Sequence, residues 1–272
     1  MSDVLTALVV AAAVVTVLMT LVWLASVALR DASIVDPIWG FGFVLVAWGV
    51  HLAVDGNSTR QWVLVALVSA WGLRLSGYLA WRNLGGGEDF RYQAMRRHWG
   101  ARFWWVSLFT VFGLQGLLMW TVSLPVQLGQ VPEDPGLGAI GVVGIAVWGI
   151  GLAFESIGDL QLTRFKADVA NAGKVMDRGL WRYTRHPNYF GDACVWWGIA
   201  IVAAESGLGA IGIVGAVVMT VLLRRVSGVT LLERSLVKRR PGYEEYVART
   251  SPFVPRPPRK LGPATTSTGA GT

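Results

Sequence analysis

LTALVVAAAVVTVLMTLVWLASVAL, residues Leu5–Leu29, is an uncharged run of twenty-five residues, and a lipid bilayer is the solvent that suits it. A hydrocarbon core about 30 Å thick is crossed by roughly 20 apolar residues in a helix. Only Asp3 precedes the run as a charge, where a secretory leader would carry basic residues. The run also exceeds a leader's apolar core, so a retained membrane helix is predicted. Six further apolar runs follow: Pro37–Val54, Trp62–Trp81, Phe103–Leu124, Leu137–Ile157, Tyr189–Ala204 and Leu208–Leu223. The last two are separated only by Glu205, Ser206 and Gly207, and a re-entrant pair is the alternative to two full crossings. Composition agrees, with 53% hydrophobic and 15% charged residues, where a soluble domain carries about a quarter charged. The expected fold is an all-α integral membrane protein with seven transmembrane helices.

Lysine and arginine accumulate in Arg82–Arg102, Arg164–Arg185 and Arg224–Lys260, whereas Pro125–Gly136 holds Glu133 and Asp134 and no basic residue. Basic loops stay cytoplasmic. Seven crossings then place the N-terminus outside and the C-terminus inside, with every loop's charge in agreement. The protein is expected in the inner or plasma membrane, its chemically capable face toward the cytoplasm. The net charge of +7 is spread over those loops rather than gathered in a patch interleaved with aromatics, so nucleic acid is not an expected partner. The single cysteine, Cys194, lies in an apolar run and can form no intrachain disulfide. Residues 1–260 are expected to form one polytopic domain, with a disordered tail over 261–272. No internal repeat is evident, which disfavours an inverted-repeat transporter.

Polar residues concentrate after the fifth run. Glu155 and Asp159 stand four apart and share a helical face, which Lys166 continues about two turns on. A carboxylate near the end of a span needs a partner. Either both neutralise nearby Arg and Lys, anchoring the helix end, or they face a ligand. Downstream, Pro187 forbids continuation of a preceding helix but suits the first turn of a new one. The free N–H groups in the first turn of that helix, beside Arg185 and His186, make an anion site for phosphate or carboxylate; the alternative is an interfacial cap with Arg185 reaching to lipid headgroups. Residues from Leu223 to Tyr246 alternate apolar and charged faces, as in a C-terminal interfacial helix. Arg74 and Gln115 lie inside apolar runs, and Asp36 or Glu155 is the expected partner of Arg74. His51 and His98 have no metal-ligand spacing, and no metal is expected.

These elements resemble the steroid 5α-reductase C-terminal-domain superfamily, especially its bacterial DUF1295 branch. The resemblance rests on Phe154-Glu155-Ser156-Ile157-Gly158-Asp159-Leu160-Gln161, on Gly179 through Asp192 with its Arg185-His186-Pro187, and on Glu233 with Pro241-Gly242-Tyr243-Glu244-Glu245-Tyr246. Asp36-Pro37-Ile38-Trp39-Gly40 and Glu88-Asp89-Phe90-Arg91-Tyr92 also look like that branch. The resemblance implies an NADPH-dependent reductase acting on a carbon–carbon double bond of a lipid-soluble substrate dissolved in membrane lipid. By that similarity residues 150–258 are the cofactor-binding half, with Glu155, Asp159, Lys166, Arg185, His186, Asn188, Tyr189, Asp192, Glu233 and Tyr243 around NADPH. Glu155 stands where the steroid enzymes commonly have an amide, and Asp192 where they have glutamate. Asp36 and Tyr78 are the positional candidates for polarising a substrate carbonyl, although Asp36, before Pro37, equally suits a helix N-cap. No Gly-x-Gly-x-x-Gly follows a predicted strand, so a Rossmann domain is not expected. Related segments occur in isoprenylcysteine and phospholipid methyltransferases, which makes an S-adenosylmethionine-dependent methyltransferase the alternative.

Overall fold

The computed structural model describes residues 3–55, 58–83, 85–131, 136–226 and 240–260. Among them regular structure is helical, and the one exception is a bridge pairing Thr184 with Ser251. Five helical stretches are long and apolar enough to cross a bilayer: Asp3–Leu29, Ala32–Ala53, Thr59–Asn83, Phe90–Val122 and Ala139–Ala167. This is the make-up of a multi-pass membrane protein. The sixth and seventh expected runs form shorter pieces. One is a helix of 17 residues, Pro187–Ala203; the other is a succession of 3-10, α and π turns over Gly209–Gly212, Ile213–Val221 and Leu222–Val226.

We label the helices α1 (Asp3–Leu29), α2 (Val35–Ala53), α3 (Thr59–Asn83), α4 (Phe90–Trp99), α5 (Phe103–Ser107), α6 (Leu114–Val122), α7 (Leu124–Gly129), α8 (Ala139–Ala167), α9 (Pro187–Ala203), α10 (Ile213–Val221) and α11 (Tyr243–Arg249). A π-helical segment, Leu108–Gly113, joins α5 to α6. The chain divides into two compact units. The first comprises Met1–Gly149 and Val195–Met219; the second comprises Ile150–Cys194 and Thr220–Thr272.

In the first unit α2 and α3 run antiparallel and cross where neither has a side chain. A Cβ on Gly40 would meet the Gly72 carbonyl oxygen at 2.7 Å, and one on Gly72 would meet that of Gly40 at 2.5 Å. Small residues let apolar helices approach closely in lipid, where hydrophobic burial no longer drives association. Around the crossing Phe43, Trp71 and Trp196 form a core with ring centroids 4.6 to 5.7 Å apart.

The stretch after the fourth run, read from sequence as the start of an outward-facing loop without basic residues, begins as the buried helix α7. Pro125, Val126, Gln127, Leu128 and Gly129 are all buried. Amide side chains make this possible by satisfying helix ends inside the unit. Gln130 Nε2 donates to the Ala47 and Val126 carbonyls at 3.1 Å, and Gln61 Nε2 donates to the Gln130 carbonyl at 2.6 Å. Arg60 is fully buried, and its Nε donates to the Gly129 carbonyl at 3.1 Å. Glu205 accepts from Gly138 N at 2.9 Å, placing a carboxylate at the positive end of α8.

Candidate functional site

In the second unit the polar chemistry of α8 lies toward its C-terminal end. Glu155 and Asp159, on one face as their spacing requires, are 3% and 6% exposed. The start of α9 packs on that face so closely that a Cβ on Gly191 would meet Glu155 N and the Gly151 carbonyl oxygen at 2.5 Å. Asn188, in the first turn of α9, donates from Nδ2 to Asp159 Oδ1 over 3.3 Å. Lys166 is exposed, unlike the two carboxylates whose face it was expected to continue, because α8 has by then left the cover of α9.

The connection between these helices is pinned to α8. Gln161 Oε1 accepts from Leu180 N at 3.0 Å, and Trp181 Nε1 donates to the Gly158 carbonyl at 3.0 Å. Pro187 opens α9, as its missing N–H dictates. Just before it, Thr184 Oγ1 donates to the Phe253 carbonyl at 2.8 Å and Arg185 N donates to the Ser251 carbonyl at 2.9 Å. Segment 184–185 therefore lies alongside 251–253.

Arg185 is 7% exposed, which corrects the picture of a side chain reaching to headgroups. Its Nη1 donates to the carbonyls of Val247 at 2.7 Å and Thr250 at 3.0 Å, at the end of α11. A cation there satisfies terminal carbonyls and complements the helix dipole. The buried His186 ring stacks on Tyr189, parallel to within 8° at 5.4 Å between centroids. On α11 Tyr243 and Tyr246 are buried, and Tyr246 donates to the Trp181 carbonyl at 2.5 Å. Burial pushes the Tyr246 phenol above its ordinary range, so it keeps its proton. Arg164, Arg178 and Arg182 are exposed, Asp192 is half-buried on α9, and Asp177 pairs with Arg249. Glu233, with the Leu231 to Arg234 part of the expected interfacial helix and the 261–272 tail, lies outside the described residues.

A second cluster belongs to the first unit. Asp36 is not an N-cap. α2 begins one residue earlier, and capping of the preceding turn falls to Asp31, whose Oδ1 accepts from Ser33 N at 2.8 Å. The Asp36 carboxylate instead accepts from Tyr92 Oη at 2.7 Å and from Arg91 Nη2 at 2.6 Å. Gln115 Nε2 donates to Tyr92 Oη at 3.3 Å. Asp89 caps α4, accepting from Arg91 N at 2.9 Å, and also holds Arg91 Nε at 2.8 Å. Beside them Glu88 accepts from Arg96 at 2.7 and 3.0 Å and from Ala32 N at 2.9 Å. Burial would raise the Glu88 carboxyl, but the bonds from Arg96 and Ala32 and the Arg96 charge outweigh it and hold it below the usual glutamate value.

Tyr78 lies between two cations, with Arg74 5.5 Å and Arg82 5.8 Å from its ring centroid. The phenol bonded to Asp36 is that of Tyr92. Sequence reasoning missed Glu88, Arg91, Tyr92 and Arg96 as members of a cluster, although the 36–40 and 88–92 motifs had both stood out. Nothing in either motif says that they meet. Gln161, Thr184 and Tyr246 were missed for the same reason.

A family model described as a protein of unknown function, DUF1295, matches residues 22–250. An uncharacterized protein of Schizosaccharomyces pombe is 24% identical over 279 aligned positions, covering 88% of this chain and 77% of the yeast protein. No solved structure matches the chain. The matched span contains both motifs joined at Asp36 and the whole of Glu155 to Asp192, and the protein belongs to the DUF1295 family.

Proposed function

We propose that the protein is a membrane-embedded, NADPH-dependent reductase of a carbon–carbon double bond in a lipid-soluble substrate, an enone or unsaturated lipid. The observation that carries this reading is the burial in the second unit of Glu155, Asp159 and His186, with exposed Arg164, Lys166, Arg178 and Arg182 on the end of α8 and the segment that connects it to α9. These donor and acceptor types fit a dinucleotide. Cations pair with phosphates, carboxylate and amide take ribose and carboxamide groups, and the half-buried Tyr189, backed by His186, offers an aromatic ring. Asp159, Lys166, His186, Asn188 and Tyr189 would hold the cofactor, with Glu155, Asp192, Glu233 and Tyr243 completing its surroundings. Arg185 positions α11 behind them. When bound, NADPH supplies a hydride to one carbon of the double bond. Asp36 and Tyr78 remain the carbonyl-polarising candidates; a hydrogen-bond donor beside the substrate carbonyl stabilises charge developing on its oxygen.

In this reading α9 and the 209–226 run are the sixth and seventh crossings. The N-terminus is outside, and the cofactor site faces the cytoplasm of the inner or plasma membrane. The distribution of Lys and Arg supports that orientation.

Thermal unfolding of the purified protein in detergent tests the cofactor. NADPH at a hundred times its dissociation constant should stabilise the fold by about 2.7 kcal/mol, and Asp159→Ala or Asn188→Ala should abolish the gain. Stabilisation by S-adenosylmethionine but not NADPH would select the methyltransferase reading. No response to either at millimolar concentration rejects both.

A further inference from the structure

α1 ends in a Schellman turn: Asp31 N donates to the Ser26 carbonyl at 3.1 Å and Arg30 N to that of Val27 at 3.4 Å. The turn forces Arg30 into the left-handed region, with φ of 54°. Glycine is the usual occupant, since a side chain in that conformation costs on the order of 1 kcal/mol. Among the described residues Arg30 alone combines positive φ with a side chain. Local folding prefers another residue there, which directs attention to what the side chain does.

Arg30 lines a cavity of about 510 Å³ together with Ser26, Val27, Arg96, Phe103 and Trp104. Arg96 is fixed in place by Glu88 and lies 4.6 Å over the Phe103 ring. Asp31, next to Arg30, accepts the Ser33 hydroxyl at 2.5 Å and its N–H at 2.8 Å, and its charge also acts on Arg96. Trp23 donates to the Trp104 carbonyl at 2.8 Å, and Trp99, Trp104 and Trp105 are all exposed. Tryptophans gather where lipid headgroups meet the acyl chains. The cavity is thus lined by two arginines and by apolar and aromatic side chains, at the end of a membrane-length helix.

We propose that this cavity binds a phosphate group, carried by the headgroup of an anionic phospholipid. Arg30 and Arg96 take the phosphate oxygens. Val27, Phe103 and Trp104 cover the first methylenes of the acyl chains. The site is separate from the cofactor proposal and does not rest on it.

The test titrates full-length protein in neutral detergent with dihexanoyl phosphatidylglycerol, dihexanoyl phosphatidylcholine and inorganic phosphate, following thermal unfolding. Phosphatidylglycerol should stabilise the wild type saturably and more strongly than phosphatidylcholine. Arg30→Gly, which restores the residue preferred by the turn, should unfold at the same or a higher temperature without lipid yet bind phosphatidylglycerol at least tenfold more weakly. Arg30→Lys should fall between. Equal phosphatidylglycerol affinity in wild type and Arg30→Gly overturns the site, and equal response to the two lipids overturns its preference for an anion. Inorganic phosphate matching phosphatidylglycerol, with both lost in Arg30→Gly, upholds the phosphate site and overturns the lipid as its source.

Discussion

Both oxygens of the Asp36 carboxylate are engaged, but by partners in different surroundings. Tyr92 is 6% exposed, whereas half of the Arg91 side chain faces solvent. An exposed ion pair contributes about 1 kcal/mol or less; a buried hydrogen bond to a charged group is worth roughly 1.5 to 3 kcal/mol. Tyr92→Phe should therefore destabilise the protein more than Arg91→Ala, a ranking that chemical unfolding in detergent can read. Glu88 gives a pH dependence. Its folded pKa lies below the ordinary 4.5, so its stabilising effect is fully present above that value and is lost as pH falls through the folded pKa. Wild type and Glu88→Gln should differ in unfolding temperature at neutral pH, and the difference should shrink as pH falls below 4.5 and through the lower folded pKa. A constant difference down to pH 3 would contradict this assignment of the Glu88 bonds.

Between elements, the α8–α9 contact and the docking of α11 govern the second unit. The Gly191 position has backbone at 2.5 Å, and backbone cannot step aside as a side chain can. Gly191→Ala must separate the helices, with an expected cost of about 1 to 3 kcal/mol and loss of NADPH-dependent stabilisation if the cofactor reading holds. α11 is only 7 residues long and would not persist in isolation. Tertiary bonds at its ends hold it. Tyr246→Phe leaves the Trp181 carbonyl without this donor, which should cost roughly 1 to 3 kcal/mol. Amide exchange over Tyr243–Arg249 should accelerate more than exchange in α8, a pattern that global destabilisation alone would not produce.

At the scale of the whole molecule, the proposed topology can be checked with one background. Replacing the single Cys194 by Ala gives a thiol-free chain into which reporter cysteines can be placed. A cysteine at Asp3 should react with an impermeant maleimide added outside intact cells, whereas one at Lys260 should react only after permeabilisation. Reaction of both from outside would exclude an odd number of crossings with the termini on opposite sides.

The five long apolar helices and the start of α9 at Pro187 were legible in the sequence because both depend on short-range rules: uninterrupted apolarity, and the missing N–H of proline. The shared face of Glu155 and Asp159 was legible for the same reason, since helical periodicity alone sets it. Chain-distant partnerships were not. Asp36 with Tyr92, Arg185 with the end of α11, and the amides that bury α7 are all decided by which surfaces pack. The same charges and amides read from sequence as loop, cap or headgroup contact, because a polar side chain takes its role from the partner that packing delivers.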